Sequence, residues 1–459
     1  MRGEGSEVLL FRNGASYSLP TVSVYLEKRI APQLLSRLKR KWKISACCLF
    51  ERPTCDLGSN SGAQHLAVLE WLGQSGEQLD ESVWLSLTAN MRRELPGAVD
   101  RQSRDALHEL DLYRNGSKWG PFARPGWLPA LLRWTEELLN VKTTLEFRQL
   151  TVGPGSCLIQ MSAGDSRVWF KAPGPFCPQE LPITVSLSKL FPEYLPDTLA
   201  VHTGWSGWLA REISAPTLDQ CDQLSAWQFA AASLANLQIE SIGRSAELLN
   251  ASCRDLRLTK LIELISPFLA CMAELVSRTR RVSPEGFLTP REFAWLTTQL
   301  EEACRSLAAR NLPNALGNVD FNPGNILISK SSCHFLDWAE ACVSNPLITF
   351  HFLLEHAKHA FPNDPTALSL IAGSYGRQWC ALCSPTELEE MLTWSSLVAI
   401  FAYGVASDAW SSPEKLQDRA LCDYYCNLTR RMHRVATSSR ERHPQYKYTN
   451  LVRAGEACS

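Results

Sequence analysis

Apolar positions recur along this chain at two spacings. Residues 8–11, a continuous apolar run, and 21–24, which alternate, both look like short strands, with the turn-prone Asn13-Gly14 between them. Ile30, Leu34, Leu35 and Leu38 then fall on one helical face, a further strand is expected at 44–50, and helical patterns dominate 64–112. Residues 1–116 thus predict an N-terminal α/β domain. A breaker-rich connector over 117–140 ends in an amphipathic helix at about 128–139. Strands follow at 145–150, 157–161 and 168–171. From 224 onward the spacing is helical, as at 225–239, 258–276, 290–309 and 385–406, apart from one hairpin. Strands first and helices afterwards predict an α+β protein of two lobes: a β-rich lobe over 141–212, a helical lobe over 213–435, and a polar tail over 436–459.

Composition narrows the class. A content of 45% hydrophobic and 20% charged residues is that of a globular chain. The net charge of −1, with no long basic stripe, argues against nucleic acid as a partner. Residues 391–406 are the most apolar stretch, yet Thr393, Ser395, Ser396 and Gly404 interrupt it and it falls short of the roughly 20 residues that span a bilayer. No membrane association is expected. The 16 cysteines are scattered singly through apolar runs, which suits buried thiols in the cytoplasm better than a disulfide framework. His351, Glu355, His356 and His359 invite a metal reading, but their order matches neither zincin motif, and a histidine cluster without metal is expected.

Chemistry concentrates in Gly317-Asn318-Val319-Asp320-Phe321-Asn322-Pro323-Gly324-Asn325 and in Asp337-Trp338 beyond it. Residues 326–329 and 333–336 are short apolar runs separated by Lys330, Ser331 and Ser332, which predicts a hairpin. With its turn centred on Ser331, position 325 pairs with 337, roughly 5 Å apart at Cα. Two neighbouring oxygen ligands suit a phosphate-bridging Mg²⁺. Asp320 would stand on the same side, free to accept a proton from a substrate hydroxyl.

This segment resembles the catalytic stretch of the aminoglycoside phosphotransferase and choline kinase superfamily, typically His-Gly-Asp-x-x-x-x-Asn, a hairpin, then Ile-Asp-Trp. Asp337-Trp-Ala-Glu-Ala341, with Pro346 after it, matches the family's next run. The resemblance implies a protein-kinase-like fold and transfer of the ATP γ-phosphate to a hydroxyl of a small molecule. It implies Asp320 as catalytic base and Asn325 and Asp337 as Mg²⁺ ligands. Asn318 and Val319 stand where the motif has His and Gly. That departure motivates an alternative, a non-catalytic nucleotide-binding or sensory protein that kept the fold.

The upstream lobe would then hold ATP. Lys171, at the end of an expected strand, stands where the kinase lysine that binds the α- and β-phosphates belongs. Glu180, at a helix start, would be its acidic partner. Gly153, Gly155 and Ser156 join two strands and could cover the phosphates with backbone N–H groups. Residues 208–212 would offer backbone hydrogen bonds to adenine. The N-terminal opening resembles Nudix domains, but their Glu-rich metal box is missing, so that activity is not expected.

Overall fold

The computed structural model describes residues 1, 7–14, 16–25, 27–53, 65–73, 79, 81–86, 99, 103–108, 110, 120–153, 155–175, 177–280 and 287–442. They fall into two compact units, one of residues 1–181 and 197–212, the other of 182–196 and 213 onward.

The first unit opens with β1 (Glu7–Asn13) and β2 (Ser16–Ser18), an antiparallel pair turned at Gly14, whose φ of +63° needs a glycine. Helix α1 (Ile30–Trp42), β3 (Ala46–Pro53) and β4 (His65–Trp71) follow, and β5 (Ser82–Ser86) returns to pair with β1. Two expectations fail here. Residues 21–24 belong to no strand, and the helical reading of 64–112 meets two strands, with helix seen at 103–108. The reason is burial on two sides. Val68 of β4 packs into one apolar cluster while Ala67 and Leu69 pack into another, so neither face is polar and period-2 alternation is lost.

After α2 (Trp127–Leu139) come β6 (Glu146–Val152), β7 (Cys157–Ala163) and β8 (Ser166–Ala172), then β9 (Thr198–His202) and β10 (Gly207–Arg211). They form one antiparallel sheet in the order β6-β7-β8-β10-β9. Val8, Leu10, Cys47 and Val68 share a core with Ile159 and Phe170 of this sheet. A buried amide reinforces the join: Gln149 Nε2 donates to the Cys48 carbonyl (2.8 Å) and its Oε1 accepts from the Cys48 N–H (2.9 Å). Both residues sit at bulges, where the strand ladder leaves backbone groups to be satisfied by side chains. The expected domain boundary at 116–117 lies outside the described residues.

The second unit holds most of α3 (Glu180–Leu190) and then α4 (Leu224–Glu240), α5 (Ser245–Asn250), α6 (Leu258–Arg280), α7 (Pro290–Ala309), α8 (Pro346–Ala360), α9 (Ala367–Gln378), α10 (Pro385–Ala406) and α11 (Arg419–Arg442). Helices α7 and α10 start with full capping boxes, Thr289/Glu292 and Ser384/Glu387, each followed by proline at the first helical position. A large apolar core joins the helices, with Phe268, Phe350, Tyr375 and Phe401 fully buried in it. Residues 436–442 continue α11, and the rest of the expected polar tail lies outside the described residues.

The helical reading of this unit missed a small sheet. Strands β11 (Arg254–Leu256), β12 (Ala315–Asn318) and β15 (Ala341–Ser344) lie in the order β11-β15-β12, with β11 parallel to β15. Every residue of β12 and β15 is buried, so these short strands carry no alternation to read. The expected hairpin is present as β13 (Ile326–Ile328) and β14 (Cys333–Phe335). Among the described residues no helix is long and apolar enough to cross a membrane, and no three His, Cys, Asp or Glu side chains are grouped so as to hold a metal ion.

Candidate active site

In the first unit, Lys171 lies on β8 opposite Leu158 of β7 and Trp208 of β10. Its ammonium donates to Glu180 Oε1 at 2.5 Å. Glu180 opens α3 and its side chain is only 3% exposed, against 26% for Lys171. A carboxylate at a helix start is favoured by the helix dipole, and one so buried also calls for a cation beside it. Lys171 therefore has a fixed direction and retains access to solvent. The loop between β6 and β7 ends beside it, since Cys157 pairs with Ala172. A Cβ on Gly155 would come within 2.6 Å of Pro175 Cδ, and one on Gly174 within 2.8 Å of the Gly155 carbonyl oxygen. Only glycines allow the loop to lie this close to the chain that leaves β8. Residues 208–211, expected near adenine, are part of β10, and the chain passes to the second unit after Glu212.

In the second unit, Asn318 ends β12 and is buried. Its Oδ1 accepts the Asp320 N–H (2.9 Å), and its Nδ2 donates to the Asp337 carbonyl (2.9 Å). Its own N–H donates to Thr349 Oγ1 of α8 (2.8 Å). Gly317 permits that approach, because a Cβ there would lie 2.6 Å from the same hydroxyl. One amide side chain thus ties together the two aspartates that the sequence singled out. Sequence reasoning treated position 318 as a departure from the motif; the structure gives it a supporting part in the loop.

The hairpin register differs from the expected one. Ile326 pairs with Phe335 and Ile328 with Cys333, which sets Asn325 opposite Leu336 and not opposite Asp337. The turn is the reason. Ser329 N–H donates to the Ser332 carbonyl (2.9 Å), and the Ser329 hydroxyl accepts from the N–H groups of Ser331 and Ser332. The turn is therefore centred between Lys330 and Ser331, half a residue earlier than expected. Leu336 N–H still donates to the Asn325 carbonyl (2.8 Å), so Asn325 and Asp337 share one end of the hairpin. Asp337 itself takes φ +60°, a conformation that Asp tolerates better than most residues, and this ends the strand pattern before it.

Electrostatics join these residues into one cluster. Asp320 and Asp337 are both exposed. Desolvation by the surrounding chain pushes the Asp320 carboxyl above its ordinary range, the Asp337 carboxylate pushes it further, and His356 of α8 opposes them. Glu340, half-buried, is raised by burial against the opposing pull of Arg254, with Asp320 and Asp337 adding to the rise. Arg254 Nε donates to Glu340 Oε2 at 3.0 Å. The sequence gave no sign of Arg254, which β11 brings alongside Glu340 by pairing with β15. His356 had been set aside with the histidine cluster; its place facing Asp320 follows only from how α8 packs.

Asn325 and Asp337 offer an amide oxygen and a carboxylate from one hairpin end, a donor set that fits Mg²⁺, which takes few protein oxygens and completes its shell with water and phosphate.

No family model matches the chain, and no curated protein matches it. Among solved structures, it is similar to an ethanolamine kinase from Plasmodium vivax at 14% identity, covering 76% of this chain and 96% of that one, with a TM-score of 0.48. A choline kinase from Cryptosporidium parvum matches at 12% identity over 68% of this chain and 95% of that one, with a TM-score of 0.49. A spectinomycin phosphotransferase in complex with ADP and spectinomycin matches at 14% identity over 67% and 98%, with a TM-score of 0.41. The solved structures that this chain is similar to include choline and ethanolamine kinases and aminoglycoside phosphotransferases.

Proposed function

We propose that this chain is a small-molecule kinase with a protein-kinase-like fold, moving the γ-phosphate of ATP to a hydroxyl group in a Mg²⁺-dependent reaction. The observation that carries the reading is the tie made by Asn318, which holds Asp320 and Asp337 together at the end of the hairpin that also bears Asn325. In this reading Lys171, steadied by Glu180, binds the α- and β-phosphates, and the loop of Gly153, Gly155 and Ser156 covers them with backbone N–H groups. Asn325 and Asp337 hold Mg²⁺, which supplies positive charge to the phosphates.

Asp320 positions the acceptor hydroxyl and takes its proton as the oxygen bonds to the γ-phosphorus; the bond to the β–γ bridging oxygen breaks and ADP leaves. A carboxyl raised by burial and by a neighbouring carboxylate is a better proton acceptor than an ordinary aspartate, because its basicity lies nearer the working pH. Its exposure leaves room for an acceptor to approach.

The test is a screen of the purified protein with γ-labelled ATP against sugars, amino alcohols and aminoglycosides, repeated with Asp320→Asn. The variant should keep the thermal shift induced by Mg·ATP and lose roughly 10²-fold or more in turnover. Equal turnover in the two proteins would remove Asp320 from the chemistry and the reading with it.

A further inference from the structure

An aromatic wall stands beside the aspartate loop and has no task in the kinase reading. Tyr403 of α10 packs against Phe352 of α8, their ring centroids 6.0 Å apart, and against Tyr424 of α11 at 6.5 Å. Phe352 lies three residues after Thr349, which receives the Asn318 N–H, so one face of α8 carries both. Tyr424 is 38% exposed, and Phe352 and Tyr403 are only partly buried. Burial raises the Tyr403 phenol, and the Asp320 and Glu340 carboxylates both act on it, so the wall lies close to the exposed Asp320.

Aromatic faces suit two kinds of guest, a cation or the C–H face of a ring, and the charges around them decide between the two. An ammonium needs an unpaired carboxylate. In the kinase reading Asp320 serves the hydroxyl and Asp337 the Mg²⁺, which leaves Glu340. Arg254 Nε already donates to Glu340 Oε2 at 3.0 Å. A second guanidinium, Arg431, reaches Glu355 at 3.8 Å and opposes the rise that burial imposes on the Tyr403 and Tyr424 phenols. An amine brought here would meet two fixed cations and could gain a carboxylate only by taking it from one of them.

Neutral hydroxyls fit what remains. Arg254 and Glu340 are 26% and 27% exposed, and their bond uses one N–H and one oxygen. Among the described residues neither side chain makes another hydrogen bond, so guanidinium N–H donors and a carboxylate oxygen stay open side by side. One hydroxyl can accept from the first and its neighbour can donate to the second, whereas an ammonium only donates. The pair is held in place by the small sheet, since Arg254 pairs with Cys342, two residues beyond Glu340.

We infer that the acceptor is an uncharged polyhydroxyl ring, a sugar or cyclitol, lying against Tyr403 with two neighbouring hydroxyls on the Arg254–Glu340 pair. The inference rests on the kinase reading and narrows its acceptor.

Initial rates of the full-length chain with γ-labelled Mg·ATP test it, comparing ribose, glucose and myo-inositol with ethanolamine, choline and an aminoglycoside. At least one neutral ring should show a kcat/KM roughly tenfold or more above every amine. Arg254→Met frees Glu340 and should raise the KM of that ring roughly tenfold while lowering the KM of the amines. A merely structural loss would depress all acceptors alike. Should Arg254→Met melt early, Glu340→Gln replaces it, because its amide oxygen can still accept from Arg254. The KM of the ring should then rise severalfold and the amines fall further behind. A wild-type preference for an amine, turnover of no neutral ring, or an amine-to-ring ratio unmoved in both variants overturns the inference. None of these results touches Asp320; equal turnover of Asp320→Asn and wild type would remove the kinase reading instead.

Discussion

Lys171 and Glu180 stand on a strand and at a helix start, whereas Asp320 and Asp337 stand on backbone outside every strand and helix. The difference decides how each pair is held. In the first, the β-ladder and the helix start set the two side chains, and an ion pair closes the gap between them. In the second, no ladder reaches either aspartate, and the side chain of Asn318 takes its place with one bond to each. Regular elements position side chains through many weak repeated contacts; an irregular loop depends on a few specific ones. The first arrangement should therefore yield most at its ion pair, and the second most at its buried amide.

The largest effect is expected at the ion pair. Lys171→Met removes the cation beside a carboxylate that is almost fully buried. Loss of one partner from a buried pair costs about 3–5 kcal/mol, and the partial exposure of Lys171 points to the lower end, about 3 kcal/mol. Thermal melting should show this loss, together with loss of the nucleotide-induced shift. A double variant, Lys171→Met with Glu180→Met, should recover most of the stability and none of the nucleotide binding. If the single and double variants melt alike, the pair is not what holds this end of the sheet.

Asn318→Ala comes next. It leaves the Asp320 N–H and the Asp337 carbonyl without this partner in a partly buried setting, a loss of about 1–2 kcal/mol. Asn318→Asp divides the tie: its carboxylate can still accept from the Asp320 N–H but can no longer donate to the Asp337 carbonyl. It also adds negative charge beside Asp320. The Asp320 carboxyl should rise further, so the acid limb of the pH–turnover profile should move to higher pH. An unmoved limb would mean that position 318 does not govern the electrostatics of Asp320.

The sequence carried different parts of this structure unequally. The spacing from Asp320 to Asn325 and the two apolar runs of the hairpin were legible, because chemistry and hairpin pattern are both local. The bonds that make a site of them join distant positions. Asn318 reaches Thr349 across 31 residues, and Arg254 reaches Glu340 across 86, so no spacing rule announces either. The register error has a local origin in the Ser329 hydroxyl, which closes the turn half a residue early. Strands β4, β12 and β15 escaped notice for a shared reason: buried on both sides, they show no polar face, and such short apolar runs look the same whether helical or extended. Helices α7 and α10 began and ended where predicted because capping boxes and prolines mark their starts in the sequence itself.

The smallest predicted effect sharpens the contrast from beneath the loop. His351 lies on α8, two residues after the Thr349 that receives the Asn318 N–H, and burial pushes its imidazole down to about 4 from 6.5. The unfolded chain therefore binds a proton between those two values that the folded one refuses, and stability is lost as pH falls through that window. At pH 5.5 the loss relative to pH 8 is about 1 kcal/mol from this residue. His351→Leu removes it, and because the His351 Nε2 is buried without a partner, the leucine should be neutral or mildly stabilising at pH 8. Urea denaturation of both proteins at pH 5.5 and pH 8 gives the difference directly. A gap between variant and wild type that widens at pH 5.5 would trace acid sensitivity to the helix that anchors the aspartate loop. An equal gap at both pH values would show that His351 does not carry the acid sensitivity of this helix.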